Sequence, residues 1–232
     1  MVEPMVQGAA GMQMHDANTL SQLFHAAQSA GAYVIADEVM TGFGRTGTLF
    51  ACELLSTQPD MLCLSKGLTG GTLPLAVTLC SQAVYDAFYS DDLHHALYHG
   101  HSYTANPLAC AAALASLEIL LTDACTQARQ RIAAAHTRFA STIAPHPRIH
   151  NVRTCGTILA MTIKTVDGNH YLSSERDQIY HYFLNRGILL RPIGNVLYLI
   201  PPYCITDEQL HFIYETILNF LSTDSHADLS IV

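Results

Sequence analysis

Two charged residues stand where apolar strands should end. In AYVIADEV a short β-branched run closes on the acid pair Asp37-Glu38. In PDMLCLSKGLTGG the run MLCL delivers Lys66 into a string of small residues. Short apolar runs of this kind, bounded by turn residues, read as buried strands. Lysine is costly to bury and ordinarily reaches for solvent, so a lysine in this position calls for a reason. On neighbouring parallel strands both groups would emerge at the carboxyl edge of the sheet, where ligands bind in open α/β folds. A lysine held beside an apolar pocket can shed its proton and attack a carbonyl as a free amine. An aspartate facing a pyridine nitrogen keeps that nitrogen protonated and makes the ring an electron sink. Asp37 and Lys66 therefore suit the chemistry of pyridoxal 5'-phosphate (PLP). They suit an ordinary ion pair at a sheet edge about as well, and the two residues alone do not decide between the readings.

The elements that must hold them follow from periodicity. VEPMVQ reads as the end of a strand and GAAGMQMH as loop. Residues Asn18 to Ser29 show helical apolar spacing, with Gly31 closing the helix. TGFGRTG is a glycine-punctuated loop, LAVTLCS a third strand and SQAVYDAFYS a short helix. Asn106 to Leu121 is a long helix rich in Ala and Leu, with Asn106 as its cap and Pro107 at its first position. A further helix runs to about Ala144, and PHPR breaks it. GTILAMTIK, ILLRPI and VLYLIP then read as strands, and SERDQIYHYFLNRG and TDEQLHFIYETILNFL as helices whose aromatic residues serve packing. Strands alternating with helices in the first half predict a parallel sheet covered on both faces. The second half predicts a smaller α+β domain. The expected division is residues 1–122, part of a large α/β domain, and residues 123–232, a small carboxy-terminal domain. The polar tail after Leu221 is expected to fray.

Composition narrows the function classes. Half of the 232 residues are hydrophobic, and the net charge is −8, which argues against a nucleic-acid-binding surface. No stretch is long and apolar enough for a membrane span, and no signal-peptide pattern opens the chain. Seven scattered cysteines with no CxxC read as buried thiols of a reducing, cytoplasmic setting rather than a disulfide framework or zinc site. His94, His95, His99 and His101 crowd together in HHALYHGH, but no cysteine or carboxylate completes a usual metal spacing, so no metal is expected. Neither GxGxxG nor GxxxxGK[ST] occurs, and the chain opens on a strand end. Both features suggest a fragment.

Three longer motifs carry a resemblance. IADEVMTGFGRTG followed by PDMLCLSKGLTGG, and then HGHSYTANPLACAAA, closely resemble the class III PLP-dependent aminotransferases (subgroup II), in the family's order. The likeness runs from VEPMVQGAAGM to LRPIGNVLYLIPPY. It implies the aspartate-aminotransferase-like fold, fold type I: part of the large-domain sheet plus the small α+β domain. SKGLTGG, YLIPPY, VQGAAGMQMH and LFACE are most similar to the branch that aminates 8-amino-7-oxononanoate in biotin synthesis with S-adenosylmethionine as donor. Met40 points the same way, since many class III members carry Gln there. Another class III type, acting on ornithine, γ-aminobutyrate or ω-amino acids, is the alternative, and an inactive remnant of the fold is a second. The resemblance implies that Lys66 binds PLP covalently and then moves the proton, with Gly67, Gly70 and Gly71 letting the backbone turn beside it. It implies that Asp37 partners the pyridinium, that Val39 packs on the ring, and that the Ser102 hydroxyl holds the phosphate from a neighbouring subunit of a homodimer. His101 contributes adjacent backbone, and Gly100 and Arg191 contact substrate, Arg191 through its carboxylate. Arg45 fits a structural pairing with Glu3. Relatives in the family are considerably longer, so part of the pocket is expected to lie outside this chain.

Overall fold

A computed structural model of the chain describes residues 1–164 and 174–222; the tail expected to fray, from residue 223 on, lies outside them. Two compact units result. One comprises Met1–Val6 and His15–Thr126, the other Gln7–Met14 and the chain from Gln127 onward. Two short strands, β1 (Val6–Gln7) and β2 (Gln13–Met14), pair with each other.

In the first unit, α1 (Ala17–Ser29) begins at Asp16, whose carboxylate accepts the Thr19 N–H at 2.7 Å. Leu20 and Phe24, one turn apart, bury against Val34, Ala36, Cys52 and Leu55. Past Ala30 the chain reverses at Gly31, φ 80°. Strand β3 (Ile35–Asp37) then lies parallel to β4 (Met61–Leu64), with Ile35 opposite Met61 and Asp37 opposite Cys63. Asp60 fastens the start of this pair: its carboxylate accepts the Val34 N–H at 2.7 Å and the Gln28 amide at 3.1 Å.

Strand β5 (Val77–Cys80) corrects the expectation of a covered, all-parallel sheet. It runs antiparallel to β4, and all four of its residues are exposed. A parallel return needs a crossover, usually a helix; here only a 3-10 turn (Lys66–Thr69) and a short loop intervene. After α2 (Gln82–Asp86), α3 (Pro107–Leu120) starts as the sequence predicts. The Asn106 side chain accepts the N–H groups of Leu108 and Ala109 at 3.0 and 3.3 Å, with Pro107 in the first turn. Helix α3 packs on the 3-10 turn that carries Lys66.

The second unit takes up the chain within α4 (Asp123–Ile143), a few residues past the boundary expected from sequence. Its antiparallel sheet has the order β6 (Ile149–Cys155), β7 (Ile158–Ile163), β8 (Val196–Leu199). Helices α4, α5 (Ser174–Leu184) and α6 (Asp207–Ser222) supply Ile132, Phe139, Phe183, Ile217 and Phe220 to a core shared with Leu159, Met161 and Leu197. Gln7–Met14 belongs here because Arg153 on β6 donates to the carbonyls of Met12, at 2.7 Å, and Gly11. Strand β6 went unread in the sequence because IHNVRTC is polar and bulged between Ile149 and Asn151. ILLRPI, expected as a strand, is not one: Pro192 has no N–H to give a ladder, and only Ile193 makes an isolated bridge, to Val196. The cysteines are free thiols, but among them only Cys52 is fully buried, and Cys80 and Cys204 are exposed. Cys80 is exposed because both faces of β5 are open.

Candidate active site

Strands β3 and β4 bring Asp37 and Lys66 to one carboxyl edge of the first unit, as their parallel register requires. Asp37 is half-buried, and its Oδ1 accepts the Val39 N–H at 3.0 Å. Val39, two residues on, is half-buried too. Glu38 does different work from its neighbour. Fully buried, it accepts the N–H groups of Ala51 and Cys52 at 2.6 and 2.8 Å and so fastens the far end of the TGFGRTG loop. Burial outweighs these two donors and holds its carboxyl above the usual range. Burial, and then the Glu38 charge, push the Cys52 thiol far up, which leaves it an inert packing group.

Lys66 opens the 3-10 turn with its side chain exposed. Its φ is 45°, in the left-handed region that residues with a Cβ avoid. Strain of this kind persists only where the surroundings impose it, and it clusters at functional sites. The surroundings can be named. Ser65 Oγ donates to the Leu75 carbonyl at 2.8 Å, Thr69 Oγ1 to that of Leu73 at 2.6 Å, and Ser116 Oγ, from α3, to that of Gly67 at 3.2 Å. The ordinary ion pair that the sequence left open does not form. Lys66 and Asp37 are not bonded to each other, and the Lys66 ammonium has no hydrogen bond or ion pair with the described residues.

Gly100, His101 and Ser102 lie on the exposed loop before α3. The His101 N–H donates to Thr104 Oγ1 at 2.9 Å, and its Nδ1 accepts the Tyr103 N–H at 3.1 Å. No hydrogen bond joins this loop to Asp37 or Lys66. His94, His95 and His99 are exposed as well, and among the described residues no group of three or more His, Cys, Asp or Glu side chains is arranged to hold a metal. Met40 and Arg45 are half-buried.

Arg191 belongs to the second unit. It lines a cleft of about 510 Å³ whose walls include Leu189, Tyr198, Pro202 and Phe212. Its exposed guanidinium makes no hydrogen bond or ion pair with the described residues. A planar, uncommitted cation at the rim of an apolar cleft can take a carboxylate through two parallel bonds.

Sequence reasoning missed Glu38 as an anchor, Phe43 as the side chain packed on Gly67, and Ser116 as a donor to the lysine turn. The two glycines flanking Phe43 marked a tight loop, but no periodicity could show that its ring meets Gly67.

Comparison with known proteins agrees with the geometry. The profile described as Aminotransferase class-III matches residues 1–221. The adenosylmethionine-8-amino-7-oxononanoate aminotransferase of Synechococcus elongatus is 49% identical over 222 residues, covering 95% of this chain and 51% of the relative. That of Nitratidesulfovibrio vulgaris is 39% identical, covering 94% and 41%. The crystal structure of the Methanocaldococcus jannaschii adenosylmethionine-8-amino-7-oxononanoate aminotransferase superposes with a TM-score of 0.84 at 34% identity, covering 94% of this chain and 53% of that one. The fold is thus that of the fold type I PLP-dependent aminotransferases, and the chain spans about half the length of the curated relatives it matches. With its lysine and aspartate on adjacent strand ends and the family profile running along almost its whole length, the chain belongs to the class III aminotransferases.

Proposed function

We propose that this chain carries the lysine-bearing part of a PLP-dependent aminotransferase that converts 8-amino-7-oxononanoate to 7,8-diaminononanoate with S-adenosylmethionine as amino donor, in biotin synthesis. The observation that carries the reading is Lys66: exposed, unpaired, and held at a left-handed φ on the same sheet edge as Asp37. The relatives' names supply the substrate class.

The residues present fit the cofactor. Asp37 and Lys66 leave each other unpaired, so the acid is available to a pyridine nitrogen and the amine to a carbonyl carbon. Val39, half-buried two residues past Asp37, would pack on the ring, and the exposed Ser102 would offer its hydroxyl to a phosphate. We read Ser102 as serving the neighbouring subunit of a cytoplasmic homodimer, with the His101 backbone beside it at the cofactor and Gly100 at the substrate. When bound, PLP supplies an electron sink for the carbon from which a proton is taken. The chain's own groups do the rest. Lys66 Nζ would hold the cofactor and would take and return the substrate proton. Asp37 would hold positive charge on the ring nitrogen through a charge-assisted contact. Arg191 binds the carboxylate of the substrate, far from the reacting carbon.

The test is turnover of 8-amino-7-oxononanoate with S-adenosylmethionine by an aminotransferase containing this segment, before and after Lys66→Ala. Turnover that disappears in the variant is the expected result. Normal turnover by the variant would remove Lys66 from its role. Turnover of ornithine or γ-aminobutyrate in place of the oxononanoate would move the chain to another branch of class III.

A further inference from the structure

We propose that Phe43 is a positioning residue for Lys66, acting through the backbone of Gly67; this rests on the reading of Lys66 as the cofactor lysine. A Cβ built on Gly67 would lie 2.8 Å from Phe43 Cδ2 and 2.9 Å from Phe43 Cβ, closer than non-bonded carbons approach. The Phe43 side chain therefore lies flush against the main chain directly after the lysine. Ser116 of α3 also donates to the Gly67 carbonyl at 3.2 Å. Gly67, the residue directly after the lysine, is thus held by a ring against its Cα and by a hydrogen bond at its carbonyl.

The ring is itself held. Phe43 is 7% exposed, has φ 58°, and meets Phe50 edge-on at 5.6 Å between centroids. Behind it the Gly44 N–H donates to the Leu49 carbonyl at 2.9 Å. On its other flank, Gly42 leaves no room for a Cβ, because the Glu38 carbonyl would lie 2.9 Å away. Glu38 is anchored in turn on Ala51 and Cys52. A rigid path therefore runs from Glu38 through the TGFGRTG loop to Phe43, Gly67 and Lys66. Without the ring, the main chain at Gly67 is free to shift. Lys66 then relaxes to a right-handed φ, and its Cα–Cβ bond swings away from the direction the site requires. Phe43 does not touch the amine; it sets where the amine points.

Lys66 and Lys164 are the only lysines in the sequence, and Lys164 is an exposed residue of the second unit. Lys164 therefore serves as an internal reference. The chain is incubated with PLP, reduced with borohydride and digested, and the pyridoxyl label on each lysine is measured by mass spectrometry. In the unsubstituted chain the label favours Lys66. In Phe43→Ala the Lys66-to-Lys164 ratio falls by about tenfold or more, as misplacement of a reacting group by a fraction of an ångström warrants, while far-UV circular dichroism is unchanged. Gly67→Ala lowers the ratio similarly. The double variant is no worse than the poorer single one, because both changes act at one contact. Phe43→Leu, which keeps bulk, retains most of the ratio. Should Phe43→Ala fail to fold, Ser116→Ala replaces it, with a smaller fall. A ratio unchanged in Phe43→Ala, or in Ser116→Ala where that is used, overturns the inference while leaving Lys66 as the labelled lysine. A chain whose label shows no preference for Lys66 over Lys164 overturns the reading of Lys66 itself, and the inference with it.

Discussion

Asparagine in place of Asp37 keeps the shape of the side chain and can still accept from the Val39 N–H, but it removes the charge proposed to face the pyridine nitrogen. Asp37→Asn should leave circular dichroism and the unfolding midpoint unchanged. In single-turnover measurements on an active aminotransferase containing this segment it should slow the proton-transfer step by about a hundredfold or more. Glu38→Ala should do the reverse. It leaves two buried N–H groups without their acceptor, at about 1–3 kcal/mol for each unsatisfied donor, and should lower the midpoint of chemical unfolding. Adjacent carboxylates thus separate cleanly, one on a rate and the other on a stability. Arg191→Ala should weaken binding of the carboxylate substrate by about 1.5–3 kcal/mol, the range for hydrogen bonds to a charged group. It should appear as a raised KM in the half-reaction with the oxononanoate and leave the half-reaction with the amino donor nearly intact. Equal loss in both half-reactions would assign Arg191 to the fold.

At the scale of elements, α4 and α6 are joined by a buried polar contact. The Tyr214 hydroxyl lies 2.6 Å from His136 Nδ1, and the Tyr214 ring stacks on Phe139 at 4.1 Å between centroids. Burial lowers the His136 pKa from 6.5 to about 4. Between those two values the unfolded chain binds a proton that the folded chain refuses, so the stability held above pH 6.5 drains as the pH falls towards about 4. Urea unfolding of the second unit, followed across this range, should show a falling midpoint, and His136→Gln should flatten the fall. A midpoint independent of pH in the unsubstituted chain would mean that His136 takes up its proton in the folded state without cost. The lysine turn shows another feature of this scale. It lies between β4 and α3, and its conformation is imposed by α3 through Ser116 as much as by its own glycines.

Among the described residues many large apolar side chains are exposed. On the first unit, Leu79, Tyr89, Leu93, Leu97, Tyr98, Leu108, Leu114, Ile119 and Leu121 are each more than half exposed. Strand β5, open along its outer edge, adds unpaired backbone groups. Exposed apolar side chains in such number suit a surface that other protein covers, in keeping with a chain that spans about half the length of its relatives. In isolation the 232-residue chain should self-associate, and light scattering on a dilution series should show a mass that rises with concentration. Leu114→Glu, on the exposed face of α3, should shift that equilibrium towards monomer. A mass that stays monomeric at every concentration would refute this prediction.

The placement of Asp37 and Lys66 was legible in the sequence because its signals are local. An apolar run that stops at an acid, another that stops at a lysine, and glycines after each are short-range patterns, and a parallel pairing brings their ends together. Helix caps were legible for the same reason, since Asn106 bonds to residues two and three positions on. What tertiary structure alone decided involves partners distant in the chain. The antiparallel course of β5 followed from a connection with no crossover helix, a property of the path and not of the LAVTLCS run itself. ILLRPI had the composition of a strand, but Pro192 could not complete a ladder. In the sequence Glu38 stood only as the neighbour of Asp37 at a strand end, and its anchoring of Ala51 and Cys52 is visible only in the fold. The left-handed turn at Lys66 is stabilised by a ring from residue 43 and a hydroxyl from residue 116. Contacts at such separations leave no periodic trace, because each depends on where the chain goes between them.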